Sequence, residues 1–265
     1  MVDFAQLATF QAVIGTGSFE AAARELHVTP SAVSQRIKAL ERSVGQVLVR
    51  RAKPCVATPA GEALVRFAGQ VALLEREALA EARDGTRVSI VVNADSLHTW
   101  FLPALKAVPG PTYELHTDDE FHTADLLRSG TAMAAVTADK EVVQGCRIER
   151  LGVMRYLACG QAGASTAVLY NRKDRLQHAF VGDLSEMHYI PSASAYIEAI
   201  RIGLGWGMVQ EWIAREDIAA GHYVDLHPGR YLDVPLYWQY WKIGSEVLDE
   251  LTAAVKTAAA PYLRS

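Results

Sequence analysis

Residues 29–38 carry the side-chain types that read the major groove of DNA. Thr29 is a good helix cap and Pro30 suits the first helical position, so a helix is expected to begin here. Its polar face combines short hydroxyls, an amide and positive charge: Ser31, Ser34, Gln35 and Lys38, with Arg36 at the edge. Hydroxyls can reach phosphates, and glutamine can bond bidentately to adenine. The pattern predicts a DNA-recognition helix, the alternative being the solvated polar face of a helical bundle.

The elements around this helix predict a winged helix-turn-helix. Ser18 caps a preceding Ala-rich helix whose small side chains allow close helix packing, and we include Ser18 among the DNA-contacting candidates. After Gly45, VLVRR and CVATPAG predict two short strands that form a wing. The wing tip carries three positive charges that can reach phosphates or the minor groove: Arg50, Arg51 and Lys53.

A second set of polar side chains follows apolar strands in the C-terminal part. These segments are 95–96, 118–120, 137–139 and 171–174. Ligands of parallel sheets collect beyond the carboxyl ends of the strands. Ser96 could hold a carboxylate, while Asp95, Asp119, Glu120 and Asp139 would favour a cation. A zwitterion with an extra positive charge, such as lysine or arginine, fits this balance. The alternative, helix caps and solvated turns, fits the charges equally well.

The periodicity that positions these residues indicates an α/β protein with an all-α N-terminal part. Beyond a predicted hinge at 84–86, strands alternate with helices, which is typical of parallel α/β organisation. The predicted domains are a winged helix-turn-helix (1–58), a linker helix with hinge (59–85) and an effector-binding domain (86–265).

The linker helix has an apolar stripe at a spacing of three to four residues. The stripe consists of Leu64, Phe67, Val71, Leu74 and Ala78. Such a stripe over about six turns is typical of a helix-pairing seam, which predicts dimerisation. The alternative is that the helix docks onto its own domain.

Composition and charge exclude several classes of protein. No apolar run reaches the roughly 18 residues of a membrane span, and the N-terminus lacks the features of a signal peptide, so we expect a cytoplasmic location. The net charge is −4, but residues 1–60 carry seven basic and four acidic groups, as expected if only this segment contacts DNA.

Enzyme and metal motifs are absent from the sequence. It has no G-x-S-x-G elbow, P-loop or H-E-x-x-H motif, and its eight histidines are dispersed, so neither catalysis, nor a metal site, nor a cofactor is expected. The three cysteines are too scattered for a disulfide framework, which favours packing roles, with a redox pair of Cys146 and Cys159 as the alternative.

The N-terminal motifs carry a family resemblance. FAQLATFQAV, GTGSFEAAARELHVTPSAVSQRIKALERSVGQVLVRR and ATPAGE resemble the signature of the LysR-type transcriptional regulators over residues 2–85. The resemblance implies a linker-helix dimer, usually assembled into a tetramer, that binds two half-sites of an interrupted palindrome in double-stranded DNA. Effector binding would then close the two lobes, change the DNA bend and alter recruitment of RNA polymerase.

The C-terminal motifs narrow the resemblance. NADSLHTWFLPAL, YNRKDRLQ and HYIPSASAYIEAIRIGLGWGMV resemble the lysine/arginine-responsive ArgP/LysG branch, whose members control export of basic amino acids. The resemblance implies a domain similar to periplasmic binding proteins, with two α/β lobes joined by crossing strands and the effector between them. Lobe I would comprise about 86–159 and 235–265, and lobe II about 160–234. Carried over to this chain, the implied contacts are Asp95, Ser96, Trp100, Thr137, Asp139, Asn171 and Asp174, with Glu198 as a weaker candidate. Trp100 could equally be a buried residue of its helix.

One segment departs from this branch. Between Cys159 and Tyr170 the chain is shorter by some two dozen residues, and Gly160–Thr166 is expected to be a loop replacing a helix. Three consequences of a shortened second lobe are compatible with the sequence: a smaller lid, weaker effector binding or altered tetramer contacts. The predicted function is an effector-responsive regulator, and the alternative is a repressor or architectural DNA-binding protein that needs no effector.

Overall fold

The N-terminal part consists of three helices, a two-stranded wing and a long helix. The computed structural model describes residues 3–80, 87–118 and 123–265. The first elements are α1 (Phe4–Thr16), α2 (Phe19–Glu25), α3 (Pro30–Val44), β1 (Val49–Arg50), β2 (Val56–Ala57) and α4 (Pro59–Ala80). Their order is that of a winged helix-turn-helix followed by a linker helix.

Side-chain caps and small residues fix the helix-turn-helix. Ser18 accepts a hydrogen bond from the Ala21 amide at the start of α2, and Thr29 accepts one from the Ala32 amide at the start of α3. Buried Ala22 and Ala23 belong to a core cluster that they share with apolar residues of the neighbouring helices and wing: Phe10, Val13, Val33, Ile37, Leu40 and Leu48. The small side chains let α2 approach its neighbours closely.

Helix α4 has two apolar faces with different surroundings. On one face Leu73 is buried in the core of the C-terminal domain, and Gly69 lies so close to Trp241 that a Cβ would come within 2.6 Å of its ring. On the other face Phe67 and Leu74 are 47% and 41% exposed. The helix therefore docks onto its own chain and still presents an apolar stripe outward.

The C-terminal part is an α/β domain built of strands β3 to β11. The strands are β3 (Arg87–Asn93), β4 (Thr112–Asp118), β5 (Ala134–Thr137), β6 (Cys146–Gly160), β7 (Ala167–Leu169), β8 (Met187–Tyr189), β9 (Gly207–Gln210), β10 (Val224–Asp225) and β11 (Leu232–Trp241). The helices are α5 (Ala94–Thr99), α6 (Leu102–Ala107), α7 (Thr123–Arg128), α8 (Leu176–Val181), α9 (Ala193–Arg201), α10 (Glu211–Ala219) and α11 (Glu246–Ala259). The predicted hinge at 84–86 and the candidates Asp119 and Glu120 lie outside the described residues.

Two long strands connect the two halves of this domain. The main sheet has the order β10-β6-β11-β5-β3-β4, with β9 also paired to β6. Strands β3, β4 and β5 are mutually parallel, whereas β6 and β11 run antiparallel over most of their length. One core cluster lies around β3, β5 and β11, and another lies around α9 and the ends of β6 and β9. The mixed sheet thus joins two α/β lobes, as expected.

Three features of this domain were not apparent from the sequence. The segment around 225 and the segment 234–242 do not pair with each other, because both pair with β6 instead. The sequence analysis also overlooked β6 itself, whose 15 residues lack a simple alternation of exposed and buried side chains. The segment after β3 forms two helices rather than one, since Pro103 lies in the first turn of α6 and favours a new start there.

The segment between β6 and β7 is a loop, as expected. Residues 161–166 form turns without helix or strand. The loop is held to the second lobe by the Gln161 side-chain amide, which donates to the His222 carbonyl at 2.7 Å. Thr166 donates to Glu186 at 3.0 Å from the other end of the loop.

Candidate DNA-contacting face and effector cleft

The outward face of α3 brings several predicted DNA contacts together. Ser31, Gln35 and Lys38 are exposed and lie three to four residues apart, so they share one side of the helix. Pro30 is exposed in the first turn, and Ser34 is half-buried beside them. The Thr29 and Ser31 hydroxyls lie 2.9 Å apart, which places both at the N-terminus of the helix.

Arg36 and Ser18 have partners within the domain. The Arg36 guanidinium donates to the Thr9 hydroxyl of α1 at 3.3 Å, so its side chain turns back toward α1. The Ser18 hydroxyl donates to the Glu20 carboxylate at 2.9 Å while capping α2. Both DNA contacts remain predictions, and each would require the side chain to exchange an internal partner for DNA.

The wing presents its positive charges to solvent. Arg50, Arg51 and Lys53 are all exposed. The Arg51 guanidinium lies 4.8 Å from the centre of the Phe19 ring, close to the N-terminus of α2. This cation–π contact limits the freedom of the arginine before any DNA is bound. Phe19 was not singled out from the sequence, because nothing local links it to the wing.

The candidate effector residues of the first lobe lie where β3 and β5 end. The Asp95 carboxylate accepts a 2.6 Å hydrogen bond from the hydroxyl of Tyr156 on β6. The Thr137 hydroxyl accepts from the Asp139 amide at 3.0 Å. Ser96 is fully buried, and its hydroxyl is among the buried polar atoms that have no hydrogen-bond partner in the described structure.

The candidates of the second lobe hold their own loop. Asn171 accepts from the Lys173 amide at 2.7 Å, and buried Asp174 accepts from the Tyr170 and Leu176 amides at 2.9 and 3.0 Å. Glu198 is exposed on α9 and lies 3.8 Å from Arg201. These contacts are those of caps and turns, so an effector contact by any of the three remains a prediction.

Electrostatic effects connect the two lobes. Burial raises the pKa of Tyr170 above its ordinary value, and the nearby charge of Asp95 raises it further. Burial also raises the pKa of Tyr196 well above its ordinary value, with added effects of Asp174 and then Asp95. The carboxylates of Asp95 and Asp174, which belong to different lobes, therefore both act on Tyr196. A cation between the lobes would be stabilised by both.

Trp100 is a core residue in this structure. It is fully buried and forms an edge-to-face contact with Phe101 at 5.8 Å. This agrees with the alternative of a buried helix residue, and an effector contact by its ring remains a prediction.

Arg128 connects the cleft to the linker helix. Its guanidinium lies 3.6 Å from the Asp139 carboxylate, and its carbonyl accepts a 2.9 Å hydrogen bond from Arg66 of α4. Arg66 is only 9% exposed, and its hydrogen bond is a partly buried contact between the linker helix and α7. A charge change at Asp139 thus has a short path to α4.

Other features of the described part of the chain concern metal binding, membrane insertion and thiol chemistry. Its residues include no group of three His, Cys, Asp or Glu that could hold a metal, and none of its helices could cross a membrane. Burial raises the pKa of Cys146 to about 11 and that of Cys159 to about 12. Both thiols stay protonated near neutral pH, which disfavours redox reactivity.

Comparisons with known proteins find similar transcriptional regulators. Residues 4–62 match the family model of the bacterial regulatory helix-turn-helix protein, lysR family. The chain is 43% identical over 286 residues to the lysine export transcriptional regulatory protein LysG of Corynebacterium efficiens, covering 98% of each chain. That alignment is longer than this chain of 265 residues, so at least 21 positions (286 less 265) have no counterpart here.

Solved structures cover the whole chain. The crystal structure of ArgP from Mycobacterium tuberculosis superimposes with a TM-score of 0.90 at 43% identity, covering 100% of both chains. Full-length LysG from Corynebacterium glutamicum with bound effector Arg superimposes with a TM-score of 0.85 at 40% identity, covering 99% of this chain and 100% of that one.

Proposed function

The chain belongs to the LysR family of bacterial regulatory helix-turn-helix proteins and to its LysG/ArgP branch, and we propose that it regulates transcription in response to lysine or arginine. Its relatives are transcriptional regulators, so the chain is a regulator and not an enzyme. The carrying observation is that carboxylates of different lobes, Asp95 and Asp174, both act on one buried tyrosine, Tyr196, in a chain that superimposes over 99% of its length on LysG with bound effector Arg. A cationic amino acid between the lobes would neutralise them.

The partner of the N-terminal domain is double-stranded DNA with an interrupted palindrome. Two copies joined through α4 would present two recognition helices to two major grooves. Ser31, Ser34 and Gln35 are the proposed base-facing residues, and Arg50, Arg51 and Lys53 the proposed backbone contacts. A homodimer, or a tetramer of two dimers, would bend the DNA between half-sites and present it to RNA polymerase.

Replacing Arg51 by alanine is expected to weaken binding to all DNA sequences by a similar factor. Each lost phosphate contact should reduce the slope of log affinity against log salt by about 0.9. Fluorescence anisotropy at several salt concentrations, on operator and random duplexes, measures both effects. Arg147→Ala, at an exposed arginine of the other domain, is the matched control and should change neither. An unchanged salt slope in the Arg51 variant would refute the wing assignment.

Replacing Gln35 by alanine is expected to relax sequence preference. The variant should lose about 1–3 kcal/mol on the best site, the worth of a bidentate base contact, while affinity for random DNA stays the same. Lys38→Ala, on the same face, is the contrasting variant and should weaken both kinds of DNA alike. Selection from a random duplex pool measures the preference. Uniform weakening by the Gln35 variant would mean that Gln35 does not read bases.

The effector signal is proposed to reach the DNA-binding domain through α4. An arginine or lysine side chain near Asp139 would compete with Arg128 for this carboxylate, and the Arg128 carbonyl bonds to Arg66 of the linker helix. Because lobe closure and linker geometry share this contact, effector binding can bias how two dimers are arranged. Genes for amino-acid export or metabolism are the proposed targets, given the name of the Corynebacterium efficiens relative.

An effector-independent DNA-binding repressor or architectural protein is the second candidate. This candidate is favoured by the positions of the Corynebacterium efficiens relative that have no counterpart in this chain. A second lobe reduced in this way would close less tightly over a ligand. Footprinting on the upstream region of its own gene, with and without 10 mM-range arginine or lysine, separates the two candidates. A footprint that shortens or shifts supports the sensor, and an unchanged footprint supports the alternative.

A further inference from the structure

Buried polar atoms without partners collect at the ends of two strands. Seven buried side-chain atoms have no hydrogen-bond partner within the described ranges. Both amide atoms of Asn93 and the hydroxyl of Ser96 lie at the junction of β3 and α5, in the first lobe. The Gln210 Oε1 lies at the junction of β9 and α10, in the second lobe. All three residues are at most 3% exposed.

The strand register fixes the direction of the Gln210 side chain. Gln210 lies opposite Tyr156 in the antiparallel pair of β9 and β6, so the two side chains project from the same face of the sheet. The hydroxyl of Tyr156 donates to Asp95 of the first lobe. Gln210 therefore projects toward the side of the sheet on which Asp95 lies.

The division of the core agrees with this direction. Met208 and Tyr156 belong to the large core cluster that includes the first lobe. Val209 and Leu157, the residues between, belong to the separate cluster of the second lobe. Since side chains alternate along a strand, Gln210 shares the side of Met208. Gln210 of the second lobe therefore projects toward the first lobe, in which Asn93 and Ser96 lie at the junction of β3 and α5. We infer that the three side chains approach the space between the lobes from opposite directions.

Buried polar groups without a hydrogen-bond partner destabilise the fold unless a ligand provides their hydrogen bonds. The amide nitrogen of Asn93 and the hydroxyl of Ser96 can donate, which suits a carboxylate. The Gln210 Oε1 accepts, and it lies on the side of Asp95, which suits an ammonium group. Together they are complementary to the head group that every free α-amino acid carries.

We propose that Gln210 is a specificity-determining residue that accepts a hydrogen bond from the α-ammonium group of the effector, while Asn93 and Ser96 donate to its α-carboxylate. The inference rests on the proposed function, because it assigns the head group of the same basic amino acid. One lobe holds the carboxylate and the other holds the ammonium group, so a free amino acid spans both lobes. An amine without a carboxylate, or an acid without an amine, would form the head-group hydrogen bonds of only one lobe.

The test compares arginine with two truncated ligands in calorimetric titrations of the full chain. Agmatine lacks the carboxylate, and 5-guanidinopentanoate lacks the α-amino group. A hydrogen bond to a charged group contributes about 1.5–3 kcal/mol, which is roughly 10- to 150-fold in affinity. The native protein should therefore bind each truncated ligand at least tenfold more weakly than arginine.

Two variants assign the two halves of the head group. Gln210→Leu should bind arginine at least tenfold more weakly, yet bind 5-guanidinopentanoate as well as the native protein does. Ser96→Ala, a minimal change that keeps the fold, should weaken arginine and 5-guanidinopentanoate but leave agmatine unchanged. Gln144→Leu, at an exposed glutamine, is the matched control and should bind all three ligands normally.

The outcomes separate this inference from the proposed function. If the native protein binds arginine and Gln210→Leu binds it equally well, the assignment of Gln210 is wrong and the proposed function stands. Equal weakening of arginine and 5-guanidinopentanoate by Gln210→Leu also overturns the assignment. If the variant does not fold, equal binding of arginine and 5-guanidinopentanoate by the native protein overturns it instead. If the native protein binds neither arginine nor lysine, both proposals fail together.

Discussion

Replacing Leu74 by glutamate will convert the protein to monomers and lower its affinity for a full palindromic site by about 100- to 10,000-fold. Phe67 and Leu74 are two helical turns apart on the exposed face of α4, and a seam of this spacing pairs with a second helix. A charge at its centre would have to be buried without a partner. The loss in affinity follows because a monomer binds only one half-site. In a dimer, binding of the first domain holds the second domain near its half-site at a high effective concentration.

Analytical ultracentrifugation and anisotropy on full and half-sites measure this effect. Affinity for an isolated half-site should change little, since Leu74 lies far along α4 from the recognition helix in sequence. Val142→Glu introduces the same charge at a residue that is 52% exposed in a loop of the other domain, and it should remain dimeric. A Leu74→Glu variant that stays dimeric at micromolar concentration would show that α4 is not the dimer seam.

Replacing Asp217 by alanine will cost about 3 kcal/mol of stability, chiefly in the second lobe. Asp217 is buried, and it accepts two 2.9 Å hydrogen bonds from Arg201 and one of 2.8 Å from Tyr223. Removing one partner of a buried pair typically costs 3–5 kcal/mol. The lower end applies because the Arg201 side chain is 37% exposed and remains partly solvated.

The same substitution should change how stability depends on pH. Burial alone would raise the pKa of Asp217, but hydrogen bonds from Arg201 and Tyr223 outweigh burial and hold it below its ordinary value. A carboxyl with a lowered pKa stabilises the fold above its unfolded pKa, and this contribution is lost as the pH falls through the folded pKa. Urea unfolding at pH 7 and at about pH 3 should therefore give a smaller difference between native and variant proteins at the lower pH.

The matched control for this measurement is Asp183→Ala, at an exposed aspartate in the same lobe. Its stability should lie within about 0.5 kcal/mol of that of the native protein at both pH values. A difference at Asp217 that did not shrink on acidification would mean that packing, rather than the ion pair, is lost.

Local features were predictable because their causes lie close together in the sequence. Thr29 and Pro30 specify the start of α3, and Ser18 specifies that of α2, through bonds within three residues. The apolar stripe of α4 was also visible, although only the structure shows that one side of α4 docks on the chain while Phe67 and Leu74 face outward. Docking is confirmed for the face that carries Gly69 and Leu73, and pairing through the exposed face stays a prediction.

Features that depend on distant pairing were not predictable. Strand β6 pairs with β9, β10 and β11, and none of these partners is near in sequence. Arg36 was placed at the edge of a DNA-facing surface, because a helical wheel does not reveal that Thr9 of α1 accepts its hydrogen bond. Gln210 was missed although it ends an apolar strand. Asp95 and Thr137 were selected because they stand at the ends of apolar strands. Applying that rule to β9 would have found it.

The central claim, that this regulator senses a basic amino acid, is tested most directly by thermal unfolding of the full chain with each of the twenty amino acids. A ligand at 100 times its dissociation constant stabilises the state it binds by about 2.7 kcal/mol. The account predicts a saturable rise in Tm with lysine or arginine and none with aspartate, glutamate or the neutral amino acids. A rise with an acidic or neutral amino acid alone, or no rise with any, would contradict it.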